Sequence, residues 1–301
     1  MLRLRNAATA LFLVVLAAGA AAVVGIAVHH TRGHVSADQT AAISEHHVVA
    51  AAEPGTPTPA SSPAPAIVRG RLLSVSGPGL AWRAAAGCAG SARLQASTDG
   101  GRSWQPLSSP AKHILRLGVT GADSGWVVGA DARCTPTYYT TTDGGATWST
   151  GSLHGIWVPT DHGIVSPAGS TSHPCGRGVA AAAEVLAPSG TEGAFVICSQ
   201  STFWTTSAGH TWQPGGQLPA GQPVAAALTP AGHGVLLLSD ANSCRGLQVE
   251  RTSTTGRSWQ RGQCVRGLAD PAAVSLTSAG YGLIAAGAAG VETNDGGRTW
   301  H

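Results

Sequence analysis

Five copies of one short phrase recur along the chain between residues 97 and 300, and each copy ends in tryptophan. The phrase is [Ser/Thr]-x-Asp-x-Gly-x-[Ser/Thr]-Trp, with Ser207 and Thr254 in place of the acid in the third and fourth copies. The Asp, Gly and Trp positions are Asp99, Gly101 and Trp104; Asp143, Gly145 and Trp148; Gly209 and Trp212; Gly256 and Trp259; and Asp295, Gly297 and Trp300. Successive tryptophans are 44, 64, 47 and 41 residues apart. A period in the forties is the length of a four-stranded propeller blade.

The phrase has the chemistry of a tight turn. Its aspartate accepts backbone N–H bonds from its own turn, its glycine supplies a positive φ, and its Ser or Thr hydroxyls bind backbone locally. The tryptophan then covers the turn with a large apolar face. We therefore interpret the three aspartates as structural and expect no catalytic role for them. The two copies without aspartate are expected to form looser turns.

Two short apolar runs precede each phrase, and Gly, Pro or Ser bound them, as is typical of strands. These facts predict an all-β fold, a propeller of four-stranded blades over residues 67–301 with five blades. The chain stops after Trp300 and His301, so the last blade lacks most of its fourth strand. We expect residues 67–71 to supply that edge, the alternative being a truncated sequence. The runs are 72–75 with 80–84, 114–119 with 126–128, 179–186 with 194–197, 224–228 with 235–238, and 273–276 with 283–286.

The N-terminal residues predict a membrane segment followed by a stalk. Arg3 and Arg5 precede an uncharged apolar stretch, residues 7–28, which as a helix is long enough for a bilayer core. A signal anchor is favoured over a cleaved signal peptide, which has a shorter apolar region, although small residues at 17–22 would permit cleavage. The arginines would stay in the cytoplasm and the remainder would be exported. Residues 29–66 have the Pro, Ala and Thr content of a disordered stalk.

Composition agrees with export and excludes some partners. A net charge of +3 over 301 residues, with no basic stripe interleaved with aromatics, does not indicate a nucleic-acid surface. No phosphate-binding glycine loop follows a strand, so no cofactor is predicted. The histidines of the stalk have no fixed spacing, and no metal site is predicted.

Six cysteines fit an oxidising compartment, where they would form disulfides rather than a metal site, because none has CxxC spacing. In the repeat alignment Cys88, Cys134, Cys198 and Cys244 fall in the loop between the second and third strands of their blades. Cys175 precedes an inner strand and Cys264 follows an outer one. All six thiols are thus predicted on the face opposite the repeated turns. Of the fifteen pairings that six cysteines allow, the favoured bridges are Cys175 to Cys198, Cys244 to Cys264 and Cys88 to Cys134.

That face also carries the candidate binding residues. Its longest loop, residues 151–178, accounts for the 64-residue spacing and contains Trp157, which would be a partner anchor if exposed or a packing residue if buried. Four arginines precede or begin inner strands: Arg71, Arg116, Arg177 and Arg266. Around one channel mouth they would attract a carboxylate or an acidic peptide, whereas scattered arginines would simply be solvated.

The repeated phrase resembles the Asp-box, or bacterial neuraminidase repeat, of sialidase-type propellers. The copy at 141–148, preceded by Gly-Trp-Val-Val-Gly at 125–129, is similar to the repeats of the photosystem II assembly and stability factor family. That resemblance implies a non-catalytic exported propeller that binds a protein, for instance an integral membrane protein, or a glycan or cell-wall polymer. The alternative is a sialidase-type glycoside hydrolase. Such an enzyme needs a Tyr–Glu pair and an arginine triad, and none of the three tyrosines has an acid close in sequence.

Overall fold

The structure is a computed structural model that describes residues 70–88, 91–160, 163–177, 183–242 and 244–301. The predicted membrane segment and stalk lie outside these ranges. In the part of the chain that is described, no helix is both long and apolar enough to cross a membrane. The described residues form 22 strands. In chain order, the strands are β1 Arg71–Gly77, β2 Leu80–Ala85, β3 Gln95–Ser97, β4 Gln105–Pro106, β5 His113–Val119, β6 Gly125–Ala130, β7 Pro136–Thr141, β8 Ser149–Gly151, β9 Val158–Thr160, β10 Gly163–Val165, β11 Thr171–Ser172, β12 Val185–Pro188, β13 Ala194–Cys198, β14 Ser201–Thr205, β15 Gln213–Pro214, β16 Gln222–Leu228, β17 Gly234–Ser239, β18 Gly246–Thr252, β19 Gln260–Arg266, β20 Ala272–Leu276, β21 Gly282–Ala286 and β22 Ala289–Thr293.

These strands make six antiparallel sheets, the blades of a propeller. Blades 1 (β1–β4), 2 (β5–β8), 4 (β12–β15) and 5 (β16–β19) have four strands, and blades 3 (β9–β11) and 6 (β20–β22) have three. The first strands of the blades pack side by side: β1 with β5, β5 with β9, β12 with β16 and β16 with β20. Strand β20 packs in turn against β1 and closes the ring.

The prediction of five blades is wrong, because the predicted long loop at 151–178 contains blade 3. Its strands are only two or three residues long, and no copy of the repeated phrase follows them. Trp157 precedes β9 and is 2% exposed. Its ring meets that of Trp212 edge to face, with centroids 5.9 Å apart, and its Nε1 donates to the carbonyl of Gly190 at 2.9 Å. Trp157 is therefore a packing residue, and its interpretation as an exposed anchor is wrong.

Each repeated turn is held by its own side chains. In blade 2 the Gly145 N–H donates to the Thr141 hydroxyl at 3.0 Å, and the Thr147 N–H donates to the Asp143 carboxylate at 2.9 Å. The Thr141 hydroxyl in turn donates to Asp143 at 2.7 Å. These bonds hold the pKa of Asp143 at about 2, chiefly through the hydroxyl and N–H of Thr147. The glycine-to-hydroxyl bond recurs in all five copies of the turn.

The two turns without aspartate keep this pattern. The Ser207 hydroxyl accepts from the Thr211 N–H at 3.1 Å, and the Thr254 hydroxyl accepts from the Ser258 N–H at 3.0 Å. A hydroxyl thus replaces one carboxylate oxygen, although it has no second oxygen to offer. The residue that follows the aspartate position has a positive φ in every copy. It is glycine in the three aspartate turns, Ala208 after Ser207, and Thr255 after Thr254.

The tryptophan of each phrase packs against the preceding blade. Trp148 meets Trp82 of blade 1 edge to face, with centroids 6.1 Å apart, and Trp259 meets Phe195 of blade 4 at 5.5 Å. Trp300 packs in the hydrophobic core cluster that contains Val235 of blade 5. Trp104 packs with Leu283 of blade 6 and Trp212 with Trp157 beside blade 3. Neighbouring blades are therefore interlocked by side chains as well as by strand packing.

Three disulfides join the six cysteines: Cys88–Cys134, Cys175–Cys198 and Cys244–Cys264. These are the bridges that the repeat alignment favoured. Cys264 differs from expectation in one respect, since it lies within β19 rather than after it. The first bridge joins blade 1 to blade 2, and the third lies within blade 5. Cys88, Cys134 and Cys244 lie in second-to-third strand loops and Cys198 ends β13 just before one, whereas Cys175 and Cys264 lie near inter-blade connections. In an up-and-down blade these loops and connections share the face opposite the repeated turns.

Among the described residues, the ring closes between blades 6 and 1 without an outer strand borrowed from another part of the chain. Arg71 begins β1, the inner strand of blade 1, so its predicted place at the outer edge of blade 6 is wrong, and residues 67–69 lie outside the described ranges. His301 instead pairs with Glu292 through two backbone bonds of 2.9 and 3.0 Å. The Ser275 hydroxyl accepts from the Val75 N–H across the blade boundary at 3.2 Å.

Candidate functional site

A channel of about 400 Å³ runs among the inner strands of the propeller. Strands β1, β5, β12, β16 and β20 all contribute to its wall. Most of the residues that line it are apolar, because each inner strand is rich in Leu, Val or Ala, although polar atoms, backbone included, contribute the larger share of its accessible surface. Concave sites with mostly apolar walls and a few polar groups are typical of ligand binding. The channel is therefore the first place to look for function.

Arg116 is the notable polar group of this wall. It stands in the middle of β5, between Leu115 and Leu117, and the side chain is half-buried against the channel. Within the described ranges its guanidinium has no ion pair and no hydrogen-bond partner. Burial lowers the pKa of Arg116 to about 10, so the group remains charged at neutral pH. An unpaired, poorly hydrated guanidinium favours a carboxylate, which it can hold through two parallel hydrogen bonds.

Of the four predicted arginines, the structure brings two to the channel. Arg71 and Arg116 line it, from blades 1 and 2. Arg177 is exposed in the connection between blades 3 and 4 and does not contribute to the channel wall. Arg266 precedes inner strand β20 but ends β19, the outer strand of blade 5, and it does not contribute to the channel wall, so its predicted place at the channel mouth is wrong. Of the predicted ring of four arginines, Arg71 and Arg116 are therefore the two that line the channel.

Carboxylates are scarce along the channel. Glu184 is the one acid among the described residues that line the channel. Asp131 and Asp240 lie in the second-to-third strand loops of blades 2 and 5, which are opposite blades in a ring of six. Asp131 also accepts the N–H groups of Thr135 and Arg133, which lower its pKa and commit it to its own loop. Glycoside hydrolysis needs two carboxyl groups within about 10 Å of each other.

A Tyr–Glu contact lies on the face of the repeated turns. The Tyr281 hydroxyl is 3.2 Å from a carboxylate oxygen of Glu292, and Arg102 lies 3.7 Å from the other oxygen. The sequence hid this pair, because the two residues are in neighbouring parts of one hairpin and not adjacent in the chain. Burial raises the pKa of Tyr281, and the charge of Glu292 raises it further, which opposes formation of a tyrosinate nucleophile. The contact joins blade 6 to Arg102 of blade 1.

Comparison with known proteins gives a fold-level likeness. No family model matches the chain, and no curated protein matches it. Among solved structures the chain is similar to YCF48 bound to D1 peptide, at 18% identity and a TM-score of 0.43, over 78% of this chain and 81% of that one. It is also similar to YCF48 from Cyanidioschyzon merolae, at 16% identity and a TM-score of 0.29, over 76% and 67% of the two chains. A GH74 xyloglucanase from Xanthomonas campestris follows, at 18% identity and a TM-score of 0.30, over 78% and 38%.

Proposed function

We propose that this protein is a non-catalytic propeller that binds a protein partner through its disulfide-bearing face, with Arg116 receiving a carboxylate of that partner. The unpaired Arg116 guanidinium in the channel carries the proposal. Arg71 adds a second positive charge on the same wall, and the surrounding apolar residues would desolvate the ion pair. An acidic side chain or a chain terminus fits this arrangement.

We further propose that the propeller acts outside the cytoplasm, tethered to the membrane by residues 1–28 and the stalk at 29–66. The apolar N-terminal stretch and the Pro-rich linker support the tether. The three disulfides support an oxidising compartment, because such bonds persist outside the reducing cytosol. A membrane protein would be within reach of a domain tethered in this way.

Crosslinked affinity purification of the full chain from its native membrane tests the proposal. Arg116→Met removes the charge with little change in volume and should abolish enrichment of the specific partner. Arg298→Met is the matched control, since Arg298 is exposed on the opposite face and should leave enrichment unchanged. Equal enrichment with both variants would contradict the assigned contact.

Sialidase-type hydrolysis is the second candidate, and the contact between Tyr281 and Glu292 is its support. A fluorogenic sialoside assay on the full chain addresses it directly. Hydrolysis that Tyr281→Phe abolishes would establish the enzyme and displace the scaffold proposal. We expect no turnover, because Tyr281 is only 5% exposed and, among the residues that the structure describes, one arginine and not three lies at its acid partner.

A further inference from the structure

A second cavity, of about 580 Å³, opens on blade 5, away from the channel. The buried side chains of Gln248 and Glu250, both on β18, form its floor. Leu218, from the connection that leads out of blade 4, and Trp259 form the walls. Arg261 is exposed at the rim. Its volume is in the range of pockets that bind small ligands.

The floor is unusually polar for the space between two blades. Gln248 is 2% exposed and Glu250 is 5% exposed. Burial raises the pKa of the Glu250 carboxyl, while the charge of Arg261, its partner on β19, acts in the opposite direction. The residues at the position of Glu250 in the other four repeats are all only partly buried. They are Gln95, Tyr139, Phe203 and Val291.

A β-bulge fixes the orientation of the Gln248 amide. The register of β18 against β19 shifts between Gln248 and Glu250, which leaves backbone carbonyls free there. The Gln248 Nε2 donates to the carbonyls of Val249 and Gly262, at 2.8 and 3.1 Å. Because the amide nitrogen is committed to two carbonyls, its Oε1 is turned away from them. Among the described residues this buried oxygen has no donor.

Trp259 presents the complementary group. Its Nε1–H is buried and has no acceptor in the part of the chain that is described. The other four tryptophans of the repeated phrase have their indole N–H bonded. Trp104 donates to Gly101, Trp148 to Ser108, Trp212 to Ser172 and Trp300 to Gly297. Leaving a buried donor or acceptor unpaired is unfavourable, and Gln248 and Trp259 both line this cavity, so a ligand that satisfied both atoms after a small shift of the two side chains would be stabilised there.

We propose that this pocket binds a sugar unit. A hydroxyl group both donates and accepts, so neighbouring hydroxyls of one pyranose ring can donate to Gln248 Oε1 and Glu250 and accept from Trp259 Nε1–H. The charges select a neutral ligand. The Glu250 carboxylate opposes an anion on the floor, and the Arg261 guanidinium opposes a cation at the rim. Leu218 and the edge of the Trp259 ring offer apolar surface to the carbon face of the sugar.

The indole N–H of Trp259 provides a direct readout. The full chain, with its tryptophans labelled with ¹⁵N, is held in a detergent whose headgroup contains no sugar. Trp259→Phe identifies one of the nine indole signals. Cellotriose, maltotriose and chitotriose are each titrated to about 10 mM, ten times the concentration that half-fills a site of 1 mM affinity. At least one of them should move the Trp259 signal saturably, and glycerol at equal hydroxyl concentration should not.

Variants separate binding at this pocket from binding elsewhere. Trp259→Phe keeps an aromatic ring and removes the indole donor, which should weaken sugar binding about tenfold, the value of one lost hydrogen bond. Because this variant lacks the Trp259 signal, its affinity is compared with that of the native chain by isothermal titration calorimetry. Trp148→Phe is the matched control, because Trp148 donates to Ser108 within another blade boundary, and binding should be unchanged. A Trp259 signal unmoved by all three sugars, or moved equally by glycerol, would overturn the proposal and leave a hydrated cavity. Either result is independent of the partner contact assigned to Arg116.

Discussion

Gly256 tests how closely the blades interlock. It is the retained glycine of the fourth repeated turn, with a φ of +79°. A Cβ added there would lie 2.4 Å from Cδ2 of Phe195, a ring that is 0% exposed and held edge to face against Trp259. Gly287 has a φ of +60° and no atom within 4 Å of an added Cβ. The two glycines therefore share the backbone requirement but differ in space.

The expected costs follow from this difference. Gly287→Ala should destabilise by about 1 kcal/mol, the cost of the left-handed conformation in a residue with a Cβ. Gly256→Ala adds the displacement of the buried Phe195 ring, worth about 1–3 kcal/mol, for a total of about 2–4 kcal/mol. Gly145→Ala is intermediate, with a φ of +89° and an added Cβ 3.4 Å from Trp148, and should resemble Gly287→Ala more closely.

Urea denaturation of the full chain, followed by circular dichroism and tryptophan fluorescence, measures these losses. Coincident transitions are required before the free energies of unfolding are compared. If Gly256→Ala and Gly287→Ala lower the free energy of unfolding by the same amount, Gly256 is needed only for its positive φ. The close approach between blades 4 and 5 would then play no part in stability.

Three further predictions concern the turns and the buried acid. Thr255→Gly should raise the free energy of unfolding by up to about 1 kcal/mol in urea titrations, because it removes a β-branched residue from a φ of +57°; a loss would contradict strain at that position. The lowered pKa of Asp143 contributes stability that is fully present above the unfolded pKa of about 4 and is lost as the pH falls towards 2. Asp143→Ser should therefore be less stable than the native chain at pH 7 but nearly equal to it at pH 2. The raised pKa of Glu250 has the opposite sign, so the native chain loses stability as pH rises above the unfolded value of about 4.3. Glu250→Gln should therefore melt higher at pH 7 than the native chain, with an advantage that disappears near pH 4; an advantage independent of pH would refute this cause.

Much of the fold can be predicted from the sequence because the repeated turn is held by hydrogen bonds from side chains of the repeated phrase itself. The Ser or Thr hydroxyl, the glycine and the tryptophan each have one local role, so five blades and the strands before them are predictable. Blade 3 is not, since its strands are two or three residues long and no repeated turn ends it. The disulfides were predictable for a related reason. Once strands are aligned, only a few loops bring two cysteines together.

The candidate sites were harder to predict because they depend on what faces a strand. Arg266 was misplaced because β19 has seven residues, whereas the outer strand β4 has only two. Gln248 and Glu250 alternate with Leu247 and Val249, a pattern typical of a strand with one solvated face. Instead both faces of β18 are buried, one in the core that blade 5 shares with blade 6 and the other beneath the connection from blade 4. Such covering comes from a neighbouring blade and leaves no local signal.

Each tryptophan packs on the preceding blade, so the tryptophan that ends one repeat completes a hydrophobic core with the blade before it. The boundaries of the sequence repeats therefore do not coincide with the boundaries of the hydrophobic cores. A cut made cleanly between two repeats would divide two cores rather than separate two finished modules. Blade 2 illustrates the consequence, because the blade that follows it ends without such a tryptophan. Its own Trp126 and Tyr138 pack together there, with centroids 6.1 Å apart, beside Leu153 and Ile156. Any shuffling of blades in this ring would have to move an aromatic residue from one module to its neighbour.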